Sequence, residues 1–391
     1  MHRDDAPRTS GSSVTKSVLC QPRQPARRHS RRSTLAVTFF ANALCVSSLF
    51  IGATPSVIAA ATPEYSVGII RCTFIDPSRG LLNYRRTPYR IISKERTLVT
   101  EIRYPTQFAV GASTEIANAT PVPKAGGYPT VVFAHGYNVT PDTYAKLLDA
   151  WVEAGFVVVA PFFPDEDASA VAAQGGANTE DDLVNEPGDL AFVTKSVLED
   201  SVSLTSSCPV VEGLIDPSDL ALAGHSDGAQ AVSMLAYDHG LDPQDVNYAQ
   251  LRSGIEYRAV MIFSGSLDTD QSNADEASQP DLLVIQSLAD TCNPFRYDVQ
   301  LYRTISQSNK WFLELQSAHH LPPFDGSDNA AFKLVAATTI SFLQVSFGMS
   351  NELTSLRTVA SDVPSVGRLF SGSPGPSLDG VPTLKESCGP N

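Results

Sequence analysis

Short apolar runs alternate with amphipathic segments along most of this 391-residue chain. The runs predict strands at residues 67–70, 97–104, 130–134, 156–160, 220–223, 260–263, 282–285 and 311–315. Between them, apolar side chains recur every three or four positions, which predicts helices at residues 144–154, 189–198, 229–237, 294–305 and 329–347. Strands that alternate with helices indicate a parallel sheet covered on both faces. We therefore predict an α/β fold with a mainly parallel central sheet of about eight strands flanked by helices.

Two segments interrupt this alternation. Residues 165–187 are acidic and rich in Ala, Gly and Asn, so we predict a long loop directly after a strand. The acidic run at its start, Asp165-Glu166-Asp167, predicts a solvated surface rather than a calcium site. Residues 350–391 are rich in Ser, Gly and Pro, which predicts a loosely packed tail. Because the chain has no internal repeat and no linker in its middle, we predict one large domain at 62–349 followed by this tail.

The first 61 residues differ from the rest in charge and hydropathy. They contain eight Lys or Arg against two acidic residues, and an uncharged, mostly apolar run covers residues 35–52. The basic cluster before this run and the Ala-Ala-Ala site at 59–61 predict an export signal that is removed, so that the mature chain begins near Thr62. The twin arginines at 31–32 favour the twin-arginine route. An uncleaved membrane anchor is the alternative, because the run is just long enough to span a bilayer, but no second such stretch follows.

Charge is distributed unevenly between this leader and the body. Residues 62–391 contain 20 basic and 40 acidic residues, a formal charge of −20. A strongly acidic body repels nucleic acid and anionic membranes, which argues against a nucleic-acid partner and favours solubility outside the cell. We therefore predict a secreted protein, located in the medium or the cell envelope, with no stable membrane span after processing. The sequence leaves the oligomeric state open.

Four cysteines, Cys72, Cys208, Cys292 and Cys388, lie in the predicted mature chain. An even number in an exported protein predicts two disulfide bonds, and three pairings are possible. We favour a Cys292–Cys388 pair, because it would tie the C-terminal tail to the body. The wide spacing of the cysteines, without a Cys-x-x-Cys pair, argues against a zinc site.

The sharpest chemical motif is Gly-His-Ser-Asp-Gly at residues 224–228. It matches the Gly-x-Ser-x-Gly pattern, with an apolar predicted strand before it and an Ala-rich predicted helix after it. In that context the small glycines allow a tight strand-to-helix turn that exposes the Ser226 hydroxyl at a helix N-terminus. Ser226 is therefore a candidate nucleophile. The alternative is a structural turn with an incidental serine.

A serine nucleophile needs a base to take its proton and a carboxylate to orient that base. His319 and His320 lie in a loop after the strand at 311–315, where a base would approach from the carboxyl edge of the sheet, and either could serve. Asp290 lies between the strand at 282–285 and the next predicted helix, which makes it the candidate acid. Asp268, after the preceding strand, is the runner-up.

Backbone N–H groups are expected to stabilise the oxyanion that forms during attack on a carbonyl. His-Gly-Tyr at 135–137 follows a predicted strand, so the N–H groups of Tyr137 and Asp227 are the candidate donors. We expect His135 to form a supporting hydrogen bond rather than to catalyse. Because a carboxylate beside an oxyanion is unfavourable, we predict that the Asp227 side chain points away.

These motifs resemble the α/β-hydrolase superfamily from about residue 67 to residue 347. Within it, the chain looks like the bacterial secreted branch related to platelet-activating-factor acetylhydrolase, dienelactone hydrolase and cutinase-like esterases. The segments that carry the resemblance are Phe-Ala-His-Gly-Tyr at 133–137, Val-Val-Val-Ala-Pro at 157–161, the serine motif, Ala-Asp at 289–290 and His-Leu-Pro-Pro at 320–323. The resemblance implies the α/β-hydrolase fold and a triad of Ser226, Asp290 and His320, since that chain order is the order of the superfamily.

The resemblance also bears on the finer assignments. The His-Leu-Pro-Pro run favours His320 over His319 as the base, and the family pattern implies Tyr137 and Asp227 as oxyanion donors. Two features depart from the polyester hydrolases and argue against polyester hydrolysis. Asp227 stands where those enzymes usually have methionine, and the segment at 165–187 is unusually acidic.

The function implied is hydrolysis of a carboxylic ester, from a small or lipid-like molecule, through an acyl-enzyme and without a metal or cofactor. A lipase or polyesterase acting on aggregated substrates is the alternative among enzymes, and it would need an apolar rim around Tyr137, Phe162 and Phe163. A catalytically silent α/β-hydrolase that only binds is the alternative outside enzymes. The sequence does not reveal the acyl or the alcohol group.

Overall fold

The computed structural model describes residues 64–83, 90–107, 115–173, 180–203, 207–237, 248–265, 279–381 and 388. The predicted export signal and the runner-up acid Asp268 lie outside these ranges. Within them the strands β1 to β12 are, in order, Ser66–Asp76, Leu81–Asn83, Arg90–Ser93, Arg96–Thr106, Glu115–Ala117, Tyr128–Ala134, Val157–Pro161, Ile215–His225, Tyr257–Phe263, Asp281–Ser287, Lys310–Leu315 and Gly367–Ser371. The helices α1 to α9 are Ala145–Glu153, Ala168–Ala173, Glu186–Ser201, Asp227–Tyr237, Tyr248–Leu251, Phe295–Thr304, Pro322–Asp325, Asn329–Ser346 and Leu353–Thr358.

A ten-stranded sheet has the order β12-β11-β10-β9-β8-β6-β7-β4-β1-β5, and β2 and β3 form a separate hairpin. Six neighbouring strands of this sheet are parallel to one another, namely β11, β10, β9, β8, β6 and β7. β4 is antiparallel to β7, β1 is antiparallel to β4, and β12 is antiparallel to β11. The chain leaves β6 for β7 on one side and later returns to β8 on the other. Sites in open α/β sheets form at the carboxyl ends of strands where the order reverses in this way.

Both faces of the sheet are covered, which explains the continuous apolar runs. Because side chains alternate along a strand, Val131 and Phe133 pack on one face and Val132 packs on the other. The first face is covered by α1, α8 and α9, and the second is covered by α3, α4 and α6. The predicted α/β architecture is therefore confirmed.

The C-terminal segment is not the loosely packed tail that its composition predicted. Leu356 on α9 and Ala360 are buried against the first face, and β12 pairs with β11 along the sheet edge. With β12 at one edge and the three-residue β5 at the other, the sheet has ten strands where about eight were expected. Both additions are short edge strands, whose sequences have too few apolar residues to stand out from turns and loops.

Two disulfide bonds join Cys72 to Cys208 and Cys292 to Cys388. The second is the pair that the sequence favoured. Cys72 on β1 and Cys208 are both buried, whereas Cys388 is exposed. In the described part of the chain, no helix has the length and apolar character needed to cross a bilayer.

Candidate active site

The Gly-His-Ser-Asp-Gly motif forms a very tight turn between β8 and α4. β8 ends at His225 and α4 begins at Asp227, so Ser226 alone connects them, with a φ of 56°. A Cβ on Gly224 would lie 2.4 Å from the Gly228 carbonyl oxygen, and one on Gly228 would lie 2.4 Å from the Ala134 carbonyl oxygen. Any side chain at either glycine would therefore clash with backbone. A positive φ at a non-glycine residue is strained, and here it holds the serine side chain at the carboxyl end of β8.

The structure brings three of the predicted site residues together. His320 Nε2 lies 2.9 Å from Ser226 Oγ, and His320 Nδ1 lies 2.8 Å from Asp290 Oδ2. The Asp290 side chain is fully buried, whereas 11% of the His320 side chain is exposed. This geometry lets a carboxylate fix one ring nitrogen while the other faces a hydroxyl that a substrate can reach. His319, the alternative base, is exposed on the same loop.

Backbone groups hold the Asp290 carboxylate in place. Its Oδ1 accepts hydrogen bonds from the N–H groups of Cys292 at 2.8 Å and Asn293 at 3.1 Å, which leaves Oδ2 for the histidine. Ser287, at the end of β10, donates its hydroxyl to the Ala318 carbonyl at 2.6 Å. The loop that carries the aspartate is thereby joined directly to the loop that carries His320.

A second polar network under this loop had no signal in the sequence. The Ser264 hydroxyl donates to Gln286 Oε1 at 2.9 Å, and the Gln286 amide donates to the Asn293 carbonyl at 2.9 Å. The Asn293 amide in turn donates to the Ser264 carbonyl at 2.6 Å. Ser264 follows β9 with a φ of 50°. Two of these three contacts join segments more than twenty residues apart, so neither spacing nor periodicity could have revealed the network.

His225, inside the serine motif, is a supporting residue that the sequence did not identify. Its Nε2 lies 3.1 Å from the His320 carbonyl, and since a carbonyl only accepts, this nitrogen carries the proton. Its Nδ1 therefore accepts from the Tyr144 hydroxyl at 2.8 Å. Burial lowers the pKa of His225 well below its usual range, and the neighbouring His320 lowers it further. A neutral His225 thus anchors the backbone of His320.

The loop after β6 lies directly against the serine. A Cβ on Gly136 would lie 2.9 Å from Ser226 Cβ, which explains the glycine. The Gly136 N–H donates to the Tyr144 hydroxyl at 3.3 Å, so this tyrosine bridges the loop to the serine motif. His135 Nε2 accepts from the Phe163 N–H at 3.0 Å, and its Nδ1 contacts the Gly136 carbonyl at 2.8 Å. Burial lowers the pKa of His135 to about 4, so it stays neutral and supports the loop.

The two candidate oxyanion donors each follow a residue of the site directly in the chain. Tyr137 directly follows Gly136, and Asp227 is the first residue of α4. The first N–H groups of a helix have no acceptor within that helix and point outward, as an oxyanion donor must. The pKa of the buried Glu186 carboxyl on α3 is raised. Burial is the largest cause, and the charges of Glu166 and of the nearby Asp227 carboxylate raise it further. That the Asp227 side chain avoids the oxyanion stays a prediction.

The acidic run at 165–167 is not the solvated surface that the sequence predicted. Glu166 and Asp167 are buried. Asp167 Oδ1 accepts from the N–H groups of Ser169 at 2.7 Å and Ala170 at 3.1 Å, and so caps α2. The Glu166 carbonyl accepts from the Asn138 N–H at 2.9 Å. The run is buried because it packs against the loop after β6, a contact that charge alone does not reveal.

Phe162 and Phe163 do not form the apolar rim that the lipase or polyesterase alternative would need. Phe163 is buried against the His135 ring, and the Arg71 guanidinium lies 4.9 Å from the centre of the Phe162 ring. Neither ring therefore offers a bare apolar surface. Within the described ranges, no cluster of three His, Cys, Asp or Glu side chains has a geometry that could hold a metal ion.

Comparison with known proteins finds a family whose model matches part of this chain. The model of the Chlorophyllase family, an esterase family of the α/β-hydrolase type, matches residues 101–253. The matched range includes Tyr137 and Ser226 but ends before Asp290 and His320. A search of curated proteins found no significant match. The family match supports a serine ester hydrolase in general. The order of the sheet and the match over 101–253 together show the α/β-hydrolase fold for this chain.

Proposed function

We propose that this protein is a secreted serine esterase that cleaves carboxylic esters through an acyl-enzyme. One observation carries the proposal, namely the chain of contacts from Asp290 Oδ2 to His320 at 2.8 Å and from His320 to Ser226 Oγ at 2.9 Å. A serine placed in this chain has a base within hydrogen-bonding distance and a carboxylate behind that base. A serine with only a structural role would need neither.

In the first half of the reaction, Ser226 Oγ attacks the ester carbonyl carbon while His320 Nε2 accepts the hydroxyl proton. Asp290 stabilises the imidazolium and keeps its ring oriented. The tetrahedral intermediate then collapses, the bond to the alcohol oxygen breaks, and His320 gives its proton to that oxygen. The alcohol leaves and the acyl group stays on Ser226.

In the second half, a water molecule attacks the acyl carbonyl and gives its proton to His320. The bond to Ser226 Oγ breaks, the serine regains its proton from His320, and the acid leaves. In both halves the negative charge on the carbonyl oxygen is stabilised by the N–H groups of Tyr137 and Asp227. Loss of one such donor typically costs about 100- to 1000-fold in turnover.

Export is the second part of the proposal. Two disulfide bonds support it, because such bonds persist in oxidising compartments and are rare in the cytosol. The basic and apolar leader at 1–61 supports it from the sequence. Detection of a secreted form that begins near Thr62 would test it, and a full-length, membrane-bound product would contradict it.

The esterase proposal is tested with Ser226→Ala. We expect the wild-type protein to hydrolyse p-nitrophenyl acetate and butyrate and to be labelled on Ser226 by a fluorophosphonate probe. The variant should lose turnover by on the order of 10⁴-fold or more and lose labelling, with an unchanged melting temperature. Turnover that survives in Ser226→Ala would reject the mechanism. A folded wild-type protein that neither turns over esters nor takes the probe would favour the silent binding alternative.

Substrate choice needs a panel of esters with graded acyl length and different alcohols. The name of the matched family makes chlorophyll a substrate to include in that panel. Its ester bond would be cleaved by the same steps. The matched range stops before Asp290 and His320, so the family name by itself does not decide the substrate.

A further inference from the structure

Exposed apolar side chains are concentrated in one part of the molecule. Seven large apolar side chains are exposed in the described ranges, and four of them, Ile75, Ile91, Ile92 and Val99, fall within 25 residues of sequence. Each of the four has between 38% and 60% of its surface exposed. The other three are isolated singly at 202, 349 and 378. Single exposed apolar residues are ordinary, but a group marks an interaction surface. We call these four residues the apolar cluster.

The register of the sheet places two members of this cluster, Ile75 and Val99, at the edge where Ser226 lies. β7 is parallel to β6 and β8, so Pro161 at its end lies at the same edge as the end of β8. β4 pairs antiparallel with β7 at Thr100↔Pro161, so residues 96–99 of β4 extend beyond that edge. Residues 73–76 of β1 extend with them, since Cys72 pairs with Thr100. The hairpin of β2 and β3 connects these two extensions.

Within the extension Ile75 and Val99 share one face, whereas Ile91 and Ile92 are consecutive exposed residues of β3 in the neighbouring hairpin, one on each of its faces. Cys72 and Phe74 are buried on the other face, so Ile75 and Val99 point outward together. The Val99 carbonyl accepts a hydrogen bond from the Phe162 N–H at 2.8 Å. The next residue, Phe163, contacts His135 of the loop beside Ser226. Val99, at one end of the cluster, is therefore close to the loop that flanks the nucleophile.

The charge of this segment is opposite to that of the rest of the body. Residues 71–96 contain seven basic and two acidic residues, whereas residues 62–391 carry a formal charge of −20. Arg71, Arg79 and Arg96 form ion pairs with carboxylates. Arg90 and Lys94 are exposed beside Ile91 and Ile92. Glu95, beside Lys94, is exposed as well. Charge interactions are screened beyond about 10 Å at ordinary ionic strength, so an approaching surface interacts mainly with these local charges, of which two are positive and one is negative.

We propose that the apolar cluster, with Arg90 and Lys94, docks onto an anionic lipid surface and presents Ser226 to esters held there. Apolar side chains flanked by basic ones are what an anionic interface binds, because the former enter the acyl region while the latter contact the head groups. The acidic remainder of the body is repelled by the same surface, which orients the catalytic edge toward it. The docking surface deepens the proposed esterase function and rests on it for the chemistry, but not for the binding.

The test uses protein expressed from the full sequence and purified after export, with its N-terminus determined by mass spectrometry. Sedimentation with vesicles of phosphatidylcholine, with and without phosphatidylglycerol, measures partitioning. We expect binding to the anionic vesicles, reduced about tenfold or more in Ile91→Ser/Ile92→Ser. Arg90→Gln/Lys94→Gln should weaken binding to anionic vesicles and reduce its salt dependence. Val202→Ser, which removes an isolated exposed apolar side chain, is the matched control and should bind as the wild type.

Activity separates docking from catalysis. Ile91→Ser/Ile92→Ser should hydrolyse soluble p-nitrophenyl acetate as the wild type does, but should lose activity on an ester dispersed in anionic vesicles. Ser226→Ala should bind vesicles normally, so a failure of the esterase proposal would leave the docking result intact. The docking proposal is overturned if wild-type protein does not bind, if it prefers neutral vesicles, or if binding survives the isoleucine changes. A dimer in solution that dissociates in Ile91→Ser/Ile92→Ser would assign the cluster to a second copy of the chain instead.

A second inference concerns the Cys292–Cys388 bond and comes from different contacts. Cys292 lies two residues after Asp290, and its N–H donates to Asp290 Oδ1 at 2.8 Å. Its partner belongs to the segment after β12, which runs along α6. The Tyr302 hydroxyl donates to the Gly372 carbonyl at 2.7 Å, and Arg303 donates to the Pro376 carbonyl at 2.7 Å. The disulfide closes this segment onto the aspartate loop.

We infer that the Cys292–Cys388 bond positions Asp290, whereas the Cys72–Cys208 bond only stabilises the fold. The buried Cys72–Cys208 pair joins β1 to the segment before β8, whereas Ser226 follows the opposite end of β8. Small displacements of a catalytic group cost up to about 100-fold in rate. Cys292 is therefore a positioning residue, and this inference rests on the proposed triad.

The two bonds provide a matched pair of variants. Cys292→Ala/Cys388→Ala should lower kcat/KM about 10- to 100-fold and move the acidic limb of its pH profile to lower pH, because a displaced carboxylate stabilises the imidazolium less. Cys72→Ala/Cys208→Ala should lower the melting temperature without moving that limb. An unchanged limb in the first variant, or equal shifts in both, would overturn the inference. Asp290→Asn, measured in the same assay, distinguishes failure of this inference from failure of the proposed triad, because full activity in that variant would reject the triad itself.

Discussion

The groups on the two sides of Ser226 differ in whether their charge can change. On the acid–base side, Asp290 is buried and His320 is partly exposed, and both ring nitrogens of the histidine face groups that exchange or orient a proton. On the oxyanion side, the loop at 135–138 is held by buried groups, and burial lowers the pKa of His135 to about 4. One side is arranged to change charge during a reaction, and the other is arranged to keep its charge fixed.

The difference shows why residue type alone does not define a catalytic histidine. His135, His225 and His320 all lie at the same edge of the sheet, and all are hydrogen-bonded. Burial in a low-dielectric environment disfavours the protonated form, so the first two act as neutral donors and acceptors. Among these three, only His320 combines a carboxylate partner with contact to a nucleophile.

The largest effect expected from this comparison comes from the base. His320→Ala should lower kcat on soluble esters by on the order of 10⁴- to 10⁶-fold, because the serine loses its proton acceptor. His319→Ala, one residue away and exposed, is the control and should stay within about threefold of the wild type. Steady-state kinetics on p-nitrophenyl butyrate would decide, and similar losses in both variants would mean that the loop rather than the base had been damaged.

The next largest effect is expected at the candidate acid, Asp290. Asp290→Asn preserves shape but removes the negative charge that fixes the histidine tautomer, so kcat should fall on the order of 10⁴-fold with little change in KM. The melting temperature controls for folding. Should kcat fall less than about tenfold, a different carboxylate would have to support the base. Asp268, the runner-up from the sequence, would be the first one to replace.

A smaller effect is expected where the two sides meet. Tyr144→Phe removes the hydroxyl that donates to His225 Nδ1 and accepts from the Gly136 N–H, so two buried polar groups lose a partner. We expect a loss of about 1–3 kcal/mol in the free energy of unfolding. We also expect about a tenfold loss in kcat/KM, since a displacement well below 1 Å at the serine is enough for that. The pH profile should keep its shape, because a neutral support has been lost and not a titrating group; a shifted acidic limb would contradict this assignment.

The smallest effect is expected behind the oxyanion side, at Glu186. Burial raises the pKa of this carboxyl well above its usual range, and the charges of Glu166 and Asp227 raise it further. The folded protein therefore holds this proton to a higher pH than the unfolded chain does. Stability from this group is fully present below the usual Glu pKa and is lost as pH rises toward the folded value.

Glu186→Gln stays neutral at every pH, so it should flatten that dependence. Thermal unfolding of both proteins at steps from pH 5 to pH 9 is the measurement. The melting temperature of the variant should exceed that of the wild type at the alkaline end by about 2–4 °C and match it at the acid end. A wild-type protein whose melting temperature rises with pH relative to the variant would show that Glu186 is ionised in the fold.

Local sequence determined the central part of this molecule. The order of apolar runs was sufficient to predict the α/β architecture, because parallel strands buried on both faces need continuous apolar residues. The turn at Ser226 was also predictable, since a strand, two glycines and a helix in immediate succession allow very few backbone paths. The Cys292–Cys388 pair was favoured by the position of one cysteine in the C-terminal segment, but the sequence left three pairings open and the structure decided among them.

Tertiary structure decided what depended on distant contacts. The burial of Glu166, the pairing of β12 with β11, and the network around Gln286 each join segments that no periodicity relates. His319 and His320 are neighbours with the same chemistry, and only the path of the loop over β10 and β11 turns one of them toward the serine. The same holds for the apolar cluster. Only Val99 lay in a predicted strand, and only the sheet register shows that Ile75 and Val99 extend beyond the catalytic edge. A sequence pattern reflects the conformational preference and burial of one helix or strand, whereas these features depend on which helices, strands and loops pack against each other.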